Sequence, residues 1–349
     1  MIELLRELVE LESPTGDTAA IRDRAAQELR GLGGDVALEG ECVRADFAGA
    51  GAPLLLLGHL DTVWPRGTIA ALPWRLEDGR AYGPGAYDMK GGLVVLFEAL
   101  RRARGERALR VLLTADEEIG SPGGRESIAR AATGAAAALV CEPPTERGDL
   151  KTARSGLGRF RLVVTGRPAH AAERERGASA IEELARLTLR LHALTDVGRG
   201  VLLNVGVVAG GTRENVVAGE ASAWLDVRVP TDAERDRIDG FLRALEPETP
   251  GTAVAVEGRW TRPPLERSDG GARLFERARA HGRELGLDLR EASSLGGSDG
   301  NLAAALGLPV LDGLGAEGGG AHAEDEHVLV GSLPVRAELL ARILRDPGV

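Results

Sequence analysis

From Pro53 to Gly58 the chain reads PLLLLG, an unbroken apolar run. A run this short and continuous fits a strand buried on both faces. Leu109 to Thr114 (LRVLLT) and Ala137 to Cys141 (AALVC) repeat the signal. Between these runs the period lengthens. Leu93 to Arg102 and Arg125 to Ala132 carry apolar residues at helical spacing. Strand, helix, strand, helix, strand predicts an open, largely parallel α/β sheet flanked by helices. Met1 to Glu10 predicts an amphipathic helix ahead of it.

The pattern then changes. Gly158 to Thr165 alternates in the manner of a half-buried strand. Ala178 to Leu194 predicts a helix, with Ile181, Leu184, Leu187 and Leu191 on one stripe. Strands at Val201–Val208 and Ala221–Val229, a helix at Asp232–Leu245 and a strand at Thr252–Glu257 follow. The order β-α-β-β-α-β is that of the ferredoxin-like, split βαβ unit. Its length suits a separate small domain. Pro263-Pro264 marks a linker, after which the α/β pattern resumes. Helices are predicted at Gly271–Leu285, Asn301–Leu306 and Leu333–Leu344, and a strand at Leu289–Ser293. The prediction is a discontinuous domain, residues 1–156 and 263–349, with residues 157–262 inserted into it.

Composition narrows the partners. The 349 residues carry 43 Lys and Arg against 53 Asp and Glu, a formal net charge of -10. Nucleic acid and anionic membranes reward clustered basic residues, so neither is an expected partner. The one dense basic stretch, Arg101 to Arg110, is broken by Gly105 and Glu106 and reads as a solvated helix end. Aromatics are only 3%, so Leu, Val and Ala must build the core. The first ten residues lack the basic start and long apolar run of a signal peptide. No stretch approaches the roughly 18 apolar residues of a membrane span. Cys42 and Cys141 read as buried free thiols, and the expected location is the cytoplasm.

The chemistry collects where the apolar strands end. PLLLLG runs into His59-Leu60-Asp61, LRVLLT into Asp116-Glu117-Glu118, and AALVC into Glu142. Open α/β sheets bind ligands at the carboxyl ends of their strands. Asp88 lies in a glycine-rich turn, Gly83 to Gly92, and His322 follows Gly318 to Gly320. Singly each motif is weak, since a solvated acidic turn looks the same. In order and at strand ends, two imidazoles and several carboxylates form an N/O ligand set suited to zinc, with cobalt or manganese as substitutes.

The segments GHLDTVWPRG, AYGPGAYDMKGG, TADEEIGSPGG, VCEPP, VTGRPAHA and GGGAHAEDE together resemble one family. It is the two-zinc exopeptidase and deacylase family that contains glutamate carboxypeptidase, acetylornithine deacetylase, succinyl-diaminopimelate desuccinylase and aminoacylase. The resemblance extends over nearly the whole chain and leans to the glutamate carboxypeptidase branch. Two departures are Gly297-Ser298-Asp299, where some relatives carry threonine before the aspartate, and Ala86-Tyr87 ahead of Asp88. The resemblance implies a zinc-exopeptidase-like catalytic domain with an inserted lid and dimerisation domain. It implies two Zn2+ per chain, bridged by Asp88, with His59 and Glu142 completing one and Glu118 and His322 the other. Asp61 would hold His59 in its ligating tautomer, and the Asp88–Met89 peptide bond would be cis. Glu117 would be the general base, taking a proton from a water shared by the metals and passing it to the leaving amine. Adjacent residues at an extended strand end point to opposite sides, which would separate Glu117 from Glu118.

In the inserted domain the resemblance gives His170 and Asn215 the task of holding the oxyanion, His170 from the partner subunit of a homodimer. Alone, His170 reads rather as a surface-loop histidine with no special role. Arg228 and Arg262 resemble arginines that grip a substrate carboxylate, for which a guanidinium fork is suited. The alternative is that they are solvated or pair with Asp226 and neighbouring acids. His192, His281 and His327 read as structural or solvated. The expected function is hydrolysis of a peptide or N-acyl amide bond next to a free carboxylate. The alternatives are an N-acyl amino acid deacylase or desuccinylase, the same site used in reverse for amide synthesis, or a binding protein without catalysis.

Overall fold

The structure is a computed structural model and describes residues 1–103 and 105–348. Arg104, in the basic stretch, and Val349, at the end of the 263–349 segment, lie outside the described residues. The chain divides into two compact units. The first comprises Met1–Ala153, Arg267–Ser294 and Ser298 onward, and the second Arg154–Glu266 with Leu295–Gly297.

In chain order the first unit opens with α1 (Ile2–Glu10), α2 (Ala19–Gly31), β1 (Asp35–Glu39), β2 (Cys42–Phe47), β3 (Ala50–His59) and α3 (Thr68–Ala71). It continues with β4 (Arg75–Glu77), β5 (Arg80–Tyr82), α4 (Gly91–Arg102), β6 (Arg107–Thr114), α5 (Arg125–Ala132), β7 (Ala137–Val140) and β8 (Leu150–Arg154). The second unit follows as β9 (Gly156–Thr165), α6 (Ala180–His192), β10 (Leu202–Gly210), β11 (Glu220–Val229), α7 (Asp232–Arg243) and β12 (Ala253–Arg262). The remainder is α8 (Asp269–Glu284), β13 (Glu291–Ser294), α9 (Asp299–Ala305), β14 (Val310–Leu311), β15 (Gly318–Gly319), β16 (His327–Leu329) and α10 (Ser332–Arg345).

The main sheet of the first unit has the order β1-β2-β6-β3-β7-β14. From β6 to β14 the neighbours are parallel, and β1 and β2 join antiparallel at one edge. Leu54 to Leu57 of central β3 are fully buried, as the apolar run requires. Leu54 and Leu56 share one core with Leu93 to Phe97 of α4 and Leu339, Leu340 and Ile343 of α10. Because β6, β3, β7 and β14 are parallel, their carboxyl ends share one edge, and the residues after each strand share it too.

The second unit is an antiparallel sheet, β10-β11-β9-β12, with a core of its own that takes in Leu184, Leu187 and Leu191 of α6 and Ile238 and Leu242 of α7. Helix α6 starts later than its periodicity predicts. Ser179 accepts the Glu182 N–H as the cap, while Ala178 bridges Arg167. Strand β12 runs on to Arg262, beyond the predicted Glu257, through pairing with β9. The predicted strand at Leu289–Ser293 lies instead at Glu291–Ser294, where β8 pairs with it.

Candidate metal centre

His59 is the last residue of β3 and is 2% exposed. Its Nδ1 lies 2.9 Å from the Asp61 main-chain oxygen. A carbonyl only accepts, so the proton sits on Nδ1 and the Nε2 lone pair is left to face the site. Nε2 is 3.2 Å from Asp88 Oδ1 and 3.4 Å from Glu142 Oε1, the latter just past the end of β7.

Asp88 lies in the glycine turn before α4, and its peptide bond to Met89 is cis. Gly85 takes φ +70 there, a value that favours glycine. The second carboxylate oxygen, Oδ2, is 3.3 Å from His322 Nε2, which is in turn 3.4 Å from Glu118 Oε2. His322 itself holds φ +63, the left-handed region that L side chains seldom occupy and that functional sites retain. Two groups result, His59–Asp88–Glu142 and Asp88–Glu118–His322, each with its ligand atoms within 4.8 Å of one another. Asp88 gives one oxygen to each.

These residues fit a pair of cations on three counts. The nitrogen-to-oxygen separations, 3.2 to 3.4 Å, lie at or beyond the long end of the hydrogen-bond range. They match the roughly 3.3–3.5 Å expected between donors bound at 2.0–2.2 Å to one tetrahedral metal. Glu118 Oε1 is buried with no hydrogen-bond partner, a lone pair that a cation would take up. Charge gives the third count. Burial alone would lower the His59 pKa, but Asp61, Asp88 and Glu142 outweigh it and raise it well above the ordinary imidazole value. Hydrogen bonds to Asp88 and Glu118 push His322 up to about 10. Burial opposes the charge on Asp88, yet His322 and His59 hold its pKa well below the carboxylate range. Such an acid-rich cluster demands positive charge, and metal ions can supply it in place of protons. Nitrogen and carboxylate donors suit zinc, cobalt and manganese.

Glu117 and Glu118 do not end an extended strand. They open a 3-10 turn, Glu117–Ile119, and the separation of their side chains comes from its three residues per turn. That turn is fastened from two sides. The Asp61 carboxylate accepts the N–H of Glu117 at 3.0 Å, that of Glu118 at 3.2 Å and the Thr15 hydroxyl at 2.7 Å. Asp116 accepts the N–H groups of Gly123 and Gly124. Asp61 thus orients His59 through its carbonyl, while its carboxylate, 3.5 Å from Nδ1, grips the turn carrying both glutamates.

The other predicted residues belong to the second unit. His170 is exposed, and its Nδ1 accepts the Ala172 N–H at 3.1 Å. Asn215 is exposed beside it, its carbonyl accepting the Ala171 N–H. Arg228 pairs with Asp226 at 2.8 Å and donates to the Leu295 carbonyl, so part of its fork is engaged. Arg262 is 2% exposed and packs where a Gly297 side chain would stand. Neither metal group includes His192, His281 or His327. His281 Nε2 lies 3.0 Å from the Asp346 main-chain oxygen, and His327 Nδ1 lies 2.8 Å from that of Asp325.

Thr15, Trp64 and Glu326 were not singled out by sequence reasoning. Thr15 lies in the Ser13-Pro14-Thr15-Gly16 turn, a loop signal only. Trp64 and Glu326 fall inside the motif segments, at the ends of HLDTVW and HAEDE, and their bond to each other spans 262 positions.

The model of Peptidase family M20/M25/M40 matches residues 55–346. Carboxypeptidase G2 of Pseudomonas sp. (strain RS-16) is 33% identical to this chain, the match covering 100% of this chain and 89% of that protein. Succinyl-diaminopimelate desuccinylase of Alkalilimnicola ehrlichii is 29% identical over 99% of this chain and 98% of its own. The crystal structure of aminopeptidase PepT from Bacillus cereus superposes with a TM-score of 0.84 at 22% identity, covering 99% of this chain and 98% of that one. At that identity it speaks for the fold alone.

Proposed function

The chain belongs to Peptidase family M20/M25/M40, a family of metal-dependent hydrolases, and from that membership we propose that it is a two-zinc metallocarboxypeptidase. It cuts a peptide or N-acyl amide bond next to a free carboxylate, with a C-terminal glutamate-like residue favoured. The observation that carries the reading is Asp88, whose two oxygens face His59 at 3.2 Å and His322 at 3.3 Å. On this reading His59, Asp88 and Glu142 hold one zinc, and Asp88, Glu118 and His322 the other. Bound there, the two zincs would supply Lewis acidity, lowering the pKa of the attacking water and polarising the amide carbonyl.

This chain's residues do the rest. Glu117 takes the proton from the attacking water on a carboxylate oxygen and delivers it to the leaving nitrogen. Its placement rests on Asp61, which accepts its main-chain N–H. His170, contributed by the partner subunit of a homodimer through the inserted domain, and Asn215 bind the developing oxyanion. Arg228 and Arg262 take the substrate carboxylate. The net charge of -10 and the two unpaired cysteines support a cytoplasmic enzyme without nucleic-acid or membrane partners. The second reading is an N-acyl amino acid deacylase or desuccinylase, which the match to the Alkalilimnicola desuccinylase favours and which uses the same metals and base.

The test is a screen of dipeptides and N-acyl amino acids on the zinc-loaded chain, with Glu117→Gln alongside. Cleavage of C-terminal Glu or Asp substrates, falling at least about 100-fold in Glu117→Gln, supports the carboxypeptidase reading. Activity confined to acetyl or succinyl amides moves the function to the deacylase branch. Full activity in Glu117→Gln refutes the assignment of the base.

A further inference from the structure

Glu326 closes the motif that begins with His322, and the proposed reaction gives it no role. It is 2% exposed. Its Oε2 accepts the Trp64 indole N–H at 2.7 Å and the Gly85 N–H at 2.9 Å. Its Oε1 accepts the Tyr87 N–H at 3.0 Å and the Asp88 N–H at 2.9 Å. Its main-chain carbonyl accepts the Gly83 N–H at 3.3 Å. A carboxylate has about four acceptor positions, and these four donors fill them. Glu326 therefore has no lone pair left for a metal, and it is absent from both metal groups.

The partners explain why the residue is an acid. All four are donors, so a glutamine would turn its own NH2 against two of them. Burying a carboxylate is costly unless hydrogen bonds replace its hydration. A turn that needed only to be closed would not require that charge. What Glu326 gathers are three segments that bear ligands. Trp64 follows His59 by five residues, the 85–88 turn ends in Asp88, and Glu326 itself follows His322 by four.

We propose that Glu326 is the positioning residue of the two-metal centre. Its carboxylate fixes the main chain that presents Asp88 to both groups and ties that turn to the segments carrying His59 and His322. The inference rests on the two-metal reading of the site. Because Asp88 is shared, loss of Glu326 weakens both metals together, whereas damage confined to the His322 loop would weaken one.

The test is titration of the metal-free full chain with Co2+, read by its visible absorption, and competition for Zn2+ against a chromogenic chelator. Metal-free melting temperatures are measured in parallel. The expected result for Glu326→Gln is a loss of about 10- to 100-fold in affinity at both sites, with an altered Co2+ spectrum. A lowered melting temperature with both affinities and the spectrum unchanged would mean a merely structural residue and would overturn the proposal. If Glu326→Gln does not fold, Trp64→Phe deletes one donor and keeps the ring. Weakening of both sites in that variant supports the proposal, and unchanged affinities overturn it. A wild-type chain that binds fewer than two Co2+ overturns the two-metal reading and this inference with it. Two tight sites in both wild type and Glu326→Gln overturn this inference alone.

Discussion

Replacing Gly92 by alanine would test how closely α4 is docked against the strand end that bears Glu142. A β-carbon at Gly92 would lie 2.0 Å from the Cys141 main-chain oxygen and 3.2 Å from its carbonyl carbon. Real β-carbons essentially never come within 3.0 Å of such an atom, so helix and strand must part by at least roughly 1 Å. The nearest obstacle is main chain, so no rotamer change relieves it. Gly92 lies four residues after Asp88, and Cys141 immediately precedes Glu142. The separation is therefore imposed on the group in which Glu142 stands 3.4 Å from His59. Overpacking of this kind costs about 1–3 kcal/mol, and a contact between two backbones belongs at the upper end. At about 2–4 °C per kcal/mol, the first unit should melt roughly 6–12 °C lower. Calorimetry of the metal-free chain reads that shift, and zinc titration reads its local consequence. The expected consequence is weaker binding at His59–Asp88–Glu142, with Asp88–Glu118–His322 less affected. A variant that melts with the wild type and binds zinc as the wild type does would refute the reasoning.

Three further outcomes are expected. Burial pushes the Cys42 thiol up to about 11 and Cys141 higher still, so at pH 8 about one Cys42 in a thousand is thiolate. Ellman's reagent should label neither in the folded chain and both after denaturation; rapid labelling at pH 8 without denaturant would contradict this. Arg336 is fully buried and donates to the carbonyls of Gly148, Gly313 and Gly315. Arg336→Met removes those donors and should cost about 3 kcal/mol in urea unfolding, because stranded carbonyls cost about 1–3 kcal/mol each while the buried charge is relieved. Gly240 lies inside α7 with open space around its α-carbon, so Gly240→Ala should stabilise the second unit by about 0.5–1 kcal/mol.

What could be read from the sequence follows from which forces leave a pattern in it. Leu54 to Leu57 are buried on both faces of central β3, and that demand wrote an unbroken apolar run. Helix α5 was predicted at its observed bounds because Ile128, Ala131 and Ala132 face inward at helical spacing. Helix α2 escaped because alanines make up much of its buried stripe, with Ala25 and Ala26 between Ile21 and Leu29. Strands β4, β5, β15 and β16 span two or three residues each and exist through pairing alone. Strand β1 is an edge strand with an exposed, mixed pattern. At the centre, the side chains at the strand ends were visible because the strands announce them. Glu326, Thr15 and the carboxylate of Asp61 act largely on main-chain N–H groups or on distant partners. Such donors are the same at every non-proline residue and mark nothing in a sequence. The separation of Glu117 from Glu118 was expected from an extended backbone and comes instead from a 3-10 turn.

The central claim is that Asp88 joins two metals, each with one histidine and one glutamate of its own. Its most direct test is zinc per chain by elemental analysis of dialysed wild type, His59→Ala, His322→Ala and Asp88→Ala. The account predicts close to two for the wild type, close to one for each histidine variant, and loss of both in Asp88→Ala. A wild type that retains one zinc or none after reloading, or an Asp88→Ala variant that still holds two, would contradict it.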